Sequence, residues 1–183
     1  GNTSNVLIDL IKKADLWVTP LDDWLEPTER GYKVNRALLA QHMASNEDGN
    51  LIYVNQTFWQ YGNGLWERLD DVQIKSRILK VISDRKEALG FLTSAMVDDI
   101  FKQLGLILIA PKGFSFNQNP MVLNFTNGVL DLDEGKFSDQ HKRELFQNIQ
   151  FPFDFDRDQK CPQWLEFLKS LNFDDETVMR LQE

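Results

Sequence analysis

Residues 51–69, LIYVNQTFWQYGNGLWERL, constrain the fold of this chain more than any other stretch. Three short runs rich in aromatic and β-branched residues, Leu51–Val54, Thr57–Tyr61 and Leu65–Leu69, are split by Asn55-Gln56 and by Gly62-Asn63-Gly64. Strand-prone runs divided by two- or three-residue turns fold back on one another, so the segment predicts an antiparallel meander. A sheet this small is marginal alone in water. The rest of the chain must bring an apolar surface to it.

Helical periodicity on both sides supplies that surface. Asn5–Ala14 carries a stripe of Val6, Leu7, Leu10 and Ile11, and Asn35–Ala44 a second with Ala37, Leu38, Leu39 and, one turn on, Met43 of the same segment. Trp17–Pro27, with two prolines, reads as a turn-rich link. After the meander, Asp70 with Gln73 forms the pattern of a capping box, and Val72, Ile74, Ile78, Val81 and Ile82 give an apolar side. Asp84 with Glu87 repeats the device. Leu89, Leu92, Met96, Val97, Ile100 and Leu104 then recur at helical spacing. Gly105 is expected to end that helix, with LILIA at 106–110 as a strand.

The stretch Asn124–Leu171 has a different texture. An Asn127-Gly128 turn opens a hairpin over about 121–137 that closes at Asp133-Glu134-Gly135, and positive φ suits both turn residues. Residues 140–150 carry no clear pattern. An aromatic–acid alternation, FPFDFDRD, leads to Cys161-Pro162, and Pro162 is well placed as the first residue of a helix. Trp164, Leu165, Leu168 and Leu171 are expected on one face of it, with Asp174 capping a final segment. The fold expected is α+β, mostly helical, with one small meander at about 51–69 and one hairpin at about 121–137.

Composition narrows the function classes. The net charge is −8, and residues 111–183 hold 8 basic against 13 acidic side chains. Phosphate neutralisation by Lys and Arg drives nucleic-acid affinity, so such a chain binds DNA poorly except through a local patch. Lys75, Arg77, Lys80, Arg85 and Lys86 make the one basic cluster; they are either that patch or the solvated face of a helix, and the second is the commoner outcome. Trp59, Tyr61 and Trp66 could stack bases, but aromatics on small sheets more often build core. No apolar run reaches the length of a bilayer span, the N-terminus lacks the basic and apolar regions of a secretory signal, and no membrane partner is expected. One cysteine, Cys161, excludes an internal disulfide framework and fits a reducing compartment.

Catalytic patterns fail on spacing. The nearest approach to a phosphate loop, GVLDLDEGKF from Gly128, has its glycines too far apart and Phe137 where a hydroxyl is needed. Asp154, Asp156 and Asp158 begin like a calcium loop, but Gln159 and Leu165 stand where Gly and Glu are required. His42, His141 and Cys161 are too few and scattered for zinc, and no Ser/His/Asp arrangement exists. Asp131 and Asp133 would share one face of a strand, as a two-metal nucleotidyl transferase requires; the competing and preferred reading is a hairpin edge whose acids keep it soluble. No catalytic, cofactor or metal residue is therefore assigned.

Asn127-Gly128-Val129-Leu130-Asp131-Leu132, then Gly135, Phe153-Asp154-Phe155-Asp156, and Cys161-Pro162-Gln163-Trp164-Leu165 with Phe167-Leu168, resemble the phage and plasmid primase–helicase family, shared with the poxvirus primase–helicase. The part resembled lies just N-terminal to the superfamily 3 helicase core, whose members carry an NGVLDL…G hairpin and a YDP-x-A-x-CP-x-W-x-x-FL signature. Asp154-Phe155-Asp156-Arg157 departs from the Tyr-Asp-Pro turn of that signature. The resemblance implies an accessory domain at 1–150 and a helical connector at 151–183 in which Trp164, Phe167 and Leu168 join the domain to its motor. It implies a cytoplasmic role in phage, prophage or plasmid replication in a bacterial host. It also implies a hexameric helicase core beyond Glu183 that binds ATP and magnesium, a primase module before residue 1, and DNA as a partner. Asn127, Gly128, Asp131, Cys161 and Pro162 enter as structural members of the motif.

Overall fold

The computed structural model describes residues 23–29, 31–171 and 175–180. The expected helix at Asn5–Ala14 and the cap at Asp174 lie outside the described residues, as does the side chain of Leu165.

The meander forms as expected: β3 (Leu51–Val54), β4 (Thr57–Gly62) and β5 (Leu65–Leu69) pair antiparallel in that order. Gly62 pairs with Leu65, so the second turn narrows to Asn63-Gly64. Both turns place two residues in the left-handed region, Asn55 and Gln56 at φ 48 and 61, Asn63 and Gly64 at 53 and 79. That is the turn geometry whose twist matches the strands.

One face of the meander lies on three helices. They are α1 (Arg36–Asn46), capped by the Asn35 side chain, α2 (Asp71–Ser83) and α3 (Ser94–Ile107). The capping box closes, with the backbone N–H of Asp70 donating to Gln73 Oε1 at 2.8 Å. Ile74, Ile78 and Ile82 of α2 and Met96, Val97, Ile100 and Leu104 of α3 are buried with Leu39, Met43, Leu51 and Phe58. Burying each Ile contributes about 2 kcal/mol. Val72 falls on the outer side and is exposed.

Helix α3 starts later than the periodicity suggests. Residues Lys86–Phe91 form a 3-10 turn, and Thr93 Oγ1 accepts from the Met96 N–H at 3.2 Å to cap the helix. Gly90 weakens a continuous helix, and Thr93 offers a better start. Gly105 does not end α3. It is buried against the sheet, where an added Cβ would meet the Tyr53 ring at 3.2 Å. The expected strand at 106–110 is reduced to one parallel bridge, Ile109 beside Tyr53.

The other face of the meander is covered by a second aromatic cluster. Trp59, Tyr61 and Trp66 share this face, opposite Phe58. Phe116 packs on Trp59 (4.6 Å) and Phe146 on Trp66 (5.5 Å), with Phe114 bridging them. Trp66 is core, as preferred above, and Trp59 and Tyr61 are half-buried.

The chain is α+β but not mostly helical: eight strands in three antiparallel sheets stand beside five α-helices among the described residues. Part of the link at Trp17–Pro27 is strand instead. β1 (Leu25–Thr28) pairs with β2 (Gly31–Val34), and Trp24 and Leu25 are buried. Pro27 hid it, since proline is tolerated only at such an edge. The expected hairpin at 121–137 is a three-stranded sheet, β6 (Val122–Phe125), β7 (Gly128–Asp131) and β8 (Lys136–Ser138). Helices α4 (Pro162–Ser170) and α5 (Asp175–Arg180) follow.

Candidate interaction surface

The third sheet is tied to the meander by one polar contact and one packing contact. Asn124, on β6 and nearly fully buried, donates from Nδ2 to the Gly64 carbonyl at 3.0 Å. The ring of His141 lies on the other side of the same turn, where a Cβ on Gly64 would stand 2.3 Å from it, and its Nε2 is 2.9 Å from the Phe125 carbonyl. Arg143 adds a third tie: its carbonyl accepts from Trp66 Nε1 at 3.0 Å, and its guanidinium reaches Asn50 Oδ1 at 3.2 Å. Burial and the nearby Glu144 carboxylate raise the pKa of the neighbouring Tyr61, against the opposing pull of Arg143.

Segment 151–157 runs along the free edge of β6. The Phe151 N–H donates to the Asn124 carbonyl at 2.8 Å, and the Thr126 N–H to the Phe153 carbonyl at 3.3 Å. Asn127 fixes its far end. Its Nδ2 donates to the Phe155 carbonyl at 3.0 Å, and its Oδ1 accepts from the Phe155 N–H at 2.8 Å. Asn127 is not in the left-handed region, so its place in the motif is this side-chain clamp rather than turn geometry. Gly128 is required by close approach: at φ +152, an added Cβ would lie 2.1 Å from the Ser138 carbonyl oxygen.

Asp131 and Asp133 do not form the paired face that metal chemistry needs. β7 ends at Asp131, and Asp133 lies in the turn beyond it. Asp131 Oδ1 accepts from the Glu134 N–H at 3.0 Å, which closes that turn. Asp156 does similar work, accepting from the Asp158 N–H at 2.9 Å. Among the described residues no three His, Cys, Asp or Glu side chains gather to hold a metal ion.

The basic cluster is divided by internal pairing. Lys75 pairs with Asp98 at 2.7 Å, and Arg77 joins Glu47 and Gln60. The hydrogen bond to Asp98 raises the Lys75 pKa and lowers that of Asp98; Arg36 lowers Asp99 in the same way. Lys80 and Lys86 are exposed on α2 and just after it, while Arg85 is half-buried. Two of the five, Lys75 and Arg77, are thus engaged by carboxylates of the domain itself.

Pro162 opens α4 as expected, and Cys161 before it is exposed. Leu168 is buried, whereas Trp164, Phe167 and Leu171 are exposed, with the Trp164 and Phe167 rings stacked at 5.5 Å. Trp164 and Leu168, one helical turn apart, lie on the same side of α4, but only Leu168 is buried.

Asn124, His141, Arg143 and Gln147 had no sequence signal. Their partners lie on the meander far away in sequence, Gln147 accepting the Trp66 N–H at 2.8 Å through its carbonyl.

These features define a class: a small α+β domain whose polar side chains are spent on tying two of its three sheets together and presenting an aromatic edge. The D5 N terminal like family matches residues 37–171, and the chain belongs to it. This is the N-terminal domain of phage and viral D5-type primase–helicase proteins. No curated protein matches the chain. No helix among the described residues is long and apolar enough to cross a membrane.

Proposed function

We propose that this chain is a non-catalytic accessory domain of a phage, prophage or plasmid primase–helicase, which positions and helps assemble the replicative helicase on DNA in the bacterial cytoplasm. The family match over 37–171 carries this reading. The exposed Trp164 and Phe167 on α4, at the C-terminal limit of that match, support it as the join to a following domain. In this reading the accessory domain is the scaffold packed around the meander and the third sheet, and α4 is the connector. The partner is the helicase core of the same chain. ATP and magnesium belong to that core, and ring contacts between copies form there.

The reading frame past the Glu183 codon tests the proposal. A phosphate-binding loop of the Walker type in the region that follows supports it, and a stop codon there defeats it. With that core present, deleting residues 37–171 is expected to impair assembly on forked DNA while leaving the ATPase chemistry of the core intact.

A further inference from the structure

An open cleft of about 500 Å³ lies where β2 runs into α1 and where α3 begins. Its apolar walls are Val34 of β2, Ala37 of α1, Phe91 of the 3-10 turn and Met96 of α3. Val34 and Met96 are buried, whereas Ala37 is exposed and Phe91 is 43% exposed. Covering this cleft would take apolar area out of water, which is favourable.

The path of the chain says what can cover it. The Asn35 N–H donates to the Trp24 carbonyl at 2.8 Å, and Leu25 pairs with Val34 across β1 and β2. Val34 and Asn35 both line the cleft. Asp23, where the described chain begins, is thus one residue from a partner of the cleft wall, and residues 1–22 lead away from that point. Those residues include the stripe of Val6, Leu7, Leu10 and Ile11 within Asn5–Ala14. A helix of this length is marginal alone in water and needs an apolar surface. Residues 15–22 join Ala14 to Asp23 and can span at most about 30 Å. So short a tether holds the stripe near the cleft at an effective concentration of about a millimolar, ahead of any dilute partner.

Charge does not choose the occupant. Lys33 and Arg36 stand at the rim, Arg36 held by Asp99 at 2.9 Å, and Asn5–Ala14 brings Asp9 together with Lys12 and Lys13. Tether and stripe do choose it. The folded unit already reaches upstream of the family match at residue 37, since Trp24, Leu25 and Val34 are buried in the helical core.

We infer that residues 5–14 dock as a helix in this cleft, with Val6, Leu7, Leu10 and Ile11 turned onto Ala37 and Phe91. The domain then begins near Asn5 instead of at β1. The inference goes beyond the accessory-domain reading and does not depend on it, because it rests on chain path, reach and apolar surface.

The test is hydrogen exchange, read by mass spectrometry, on the whole chain and on a synthetic peptide of residues 1–22. The amides of 5–14 are expected to exchange at least about tenfold more slowly in the chain than in the peptide. Phe91→Ser removes the half-exposed wall. Ala37→Glu puts a charge into the cleft, at a first-turn position where an acid suits α1. Each should return 5–14 to the rate of the free peptide while the amides of α2 stay protected. Val72→Ser, on the outer side of α2, should change nothing. Equal rates in the parent chain and the peptide would overturn the inference. So would protection of 5–14 that survives the double variant Phe91→Ser/Ala37→Glu, or protection that grows with protein concentration, which would seat the segment on a second copy.

Discussion

The carboxamide of Asn127 and the peptide group of Phe155 close a two-point hydrogen bond, 3.0 Å from Nδ2 to the carbonyl and 2.8 Å from the N–H to Oδ1. A side chain at a sheet turn thus behaves as one more residue of a strand ladder, and holds in register the segment that carries Phe151 and Phe153. Only a carboxamide offers donor and acceptor in this geometry. Asn127→Asp keeps the acceptor and leaves the Phe155 carbonyl without its donor, so a loss of about 1–2 kcal/mol is expected. Urea unfolding measures it, and hydrogen exchange at the Phe155 amide should stay slower in Asn127→Asp than in Asn127→Ala.

Gly64 is held between Asn124 and His141. An added Cβ would lie 2.3 Å from the imidazole, and φ is +79, a conformation other residues adopt at a cost. Gly64→Ala is expected to destabilise the chain by about 1–3 kcal/mol. Pairing it with His141→Ala separates the causes: the double variant should recover the clash with the ring but not the backbone strain. Full recovery would show that the left-handed turn carries no penalty here.

The pairs Lys75–Asp98 and Arg36–Asp99 fasten α3 to α2 and to α1. Both carboxyl groups are held below the ordinary range, chiefly by hydrogen bonds from their cationic partners. A depressed carboxylate pKa contributes stability that is present above the unfolded value of about 3.9 and is lost as pH falls through the lower folded value. Lys75 is raised, chiefly by its bond to Asp98, so its share is present below the unfolded lysine value of about 10.4 and fades as pH rises through the folded one. Between these limits the pair is intact. Asp98→Asn should therefore lower stability at neutral pH and flatten the acid limb of a stability–pH curve by the same small amount, because the pair is solvent-exposed. An acid limb unchanged by this variant would remove the pair from the account.

What was legible in the sequence was local. The capping box of Asp70 with Gln73 lies within one turn, and Ile74, Ile78 and Ile82 repeat at one spacing, so both announce themselves. The meander was visible because its turns are two residues long and its strands adjacent. The failures share a cause. β1 was hidden by Pro27 and had a partner only because the helical core buries Trp24 and Leu25. Helical spacing over Leu89 and Leu92 predicted an earlier start for α3, yet the Thr93 cap and Gly90 decided the boundary. In the candidate surface the NGVLDL motif was legible, but the work of Asn127 depends on Phe155, and that of Gly128 on Ser138, partners 28 and about 10 residues away. Asn124 and Gly64, 60 residues apart, left no local signal.

Asp131 offers the last prediction, because its two readings diverge in a simple measurement. As the closing group of the β7–β8 turn, it accepts the Glu134 N–H at 3.0 Å. An asparagine oxygen can accept the same bond and a methyl group cannot. Asp131→Asn should thus sit within about 0.5 kcal/mol of the parent in urea unfolding, and Asp131→Ala should lose about 1 kcal/mol. A metal ligand would show no such difference, since removing the negative charge is as damaging as removing the side chain once a divalent cation is present. Manganese is accordingly expected to leave the thermal midpoint of the parent and both variants unchanged. A rise of several degrees in the parent alone, lost in Asp131→Asn and in Asp133→Asn, would return this turn to the nucleotidyl-transferase reading that its geometry disfavours.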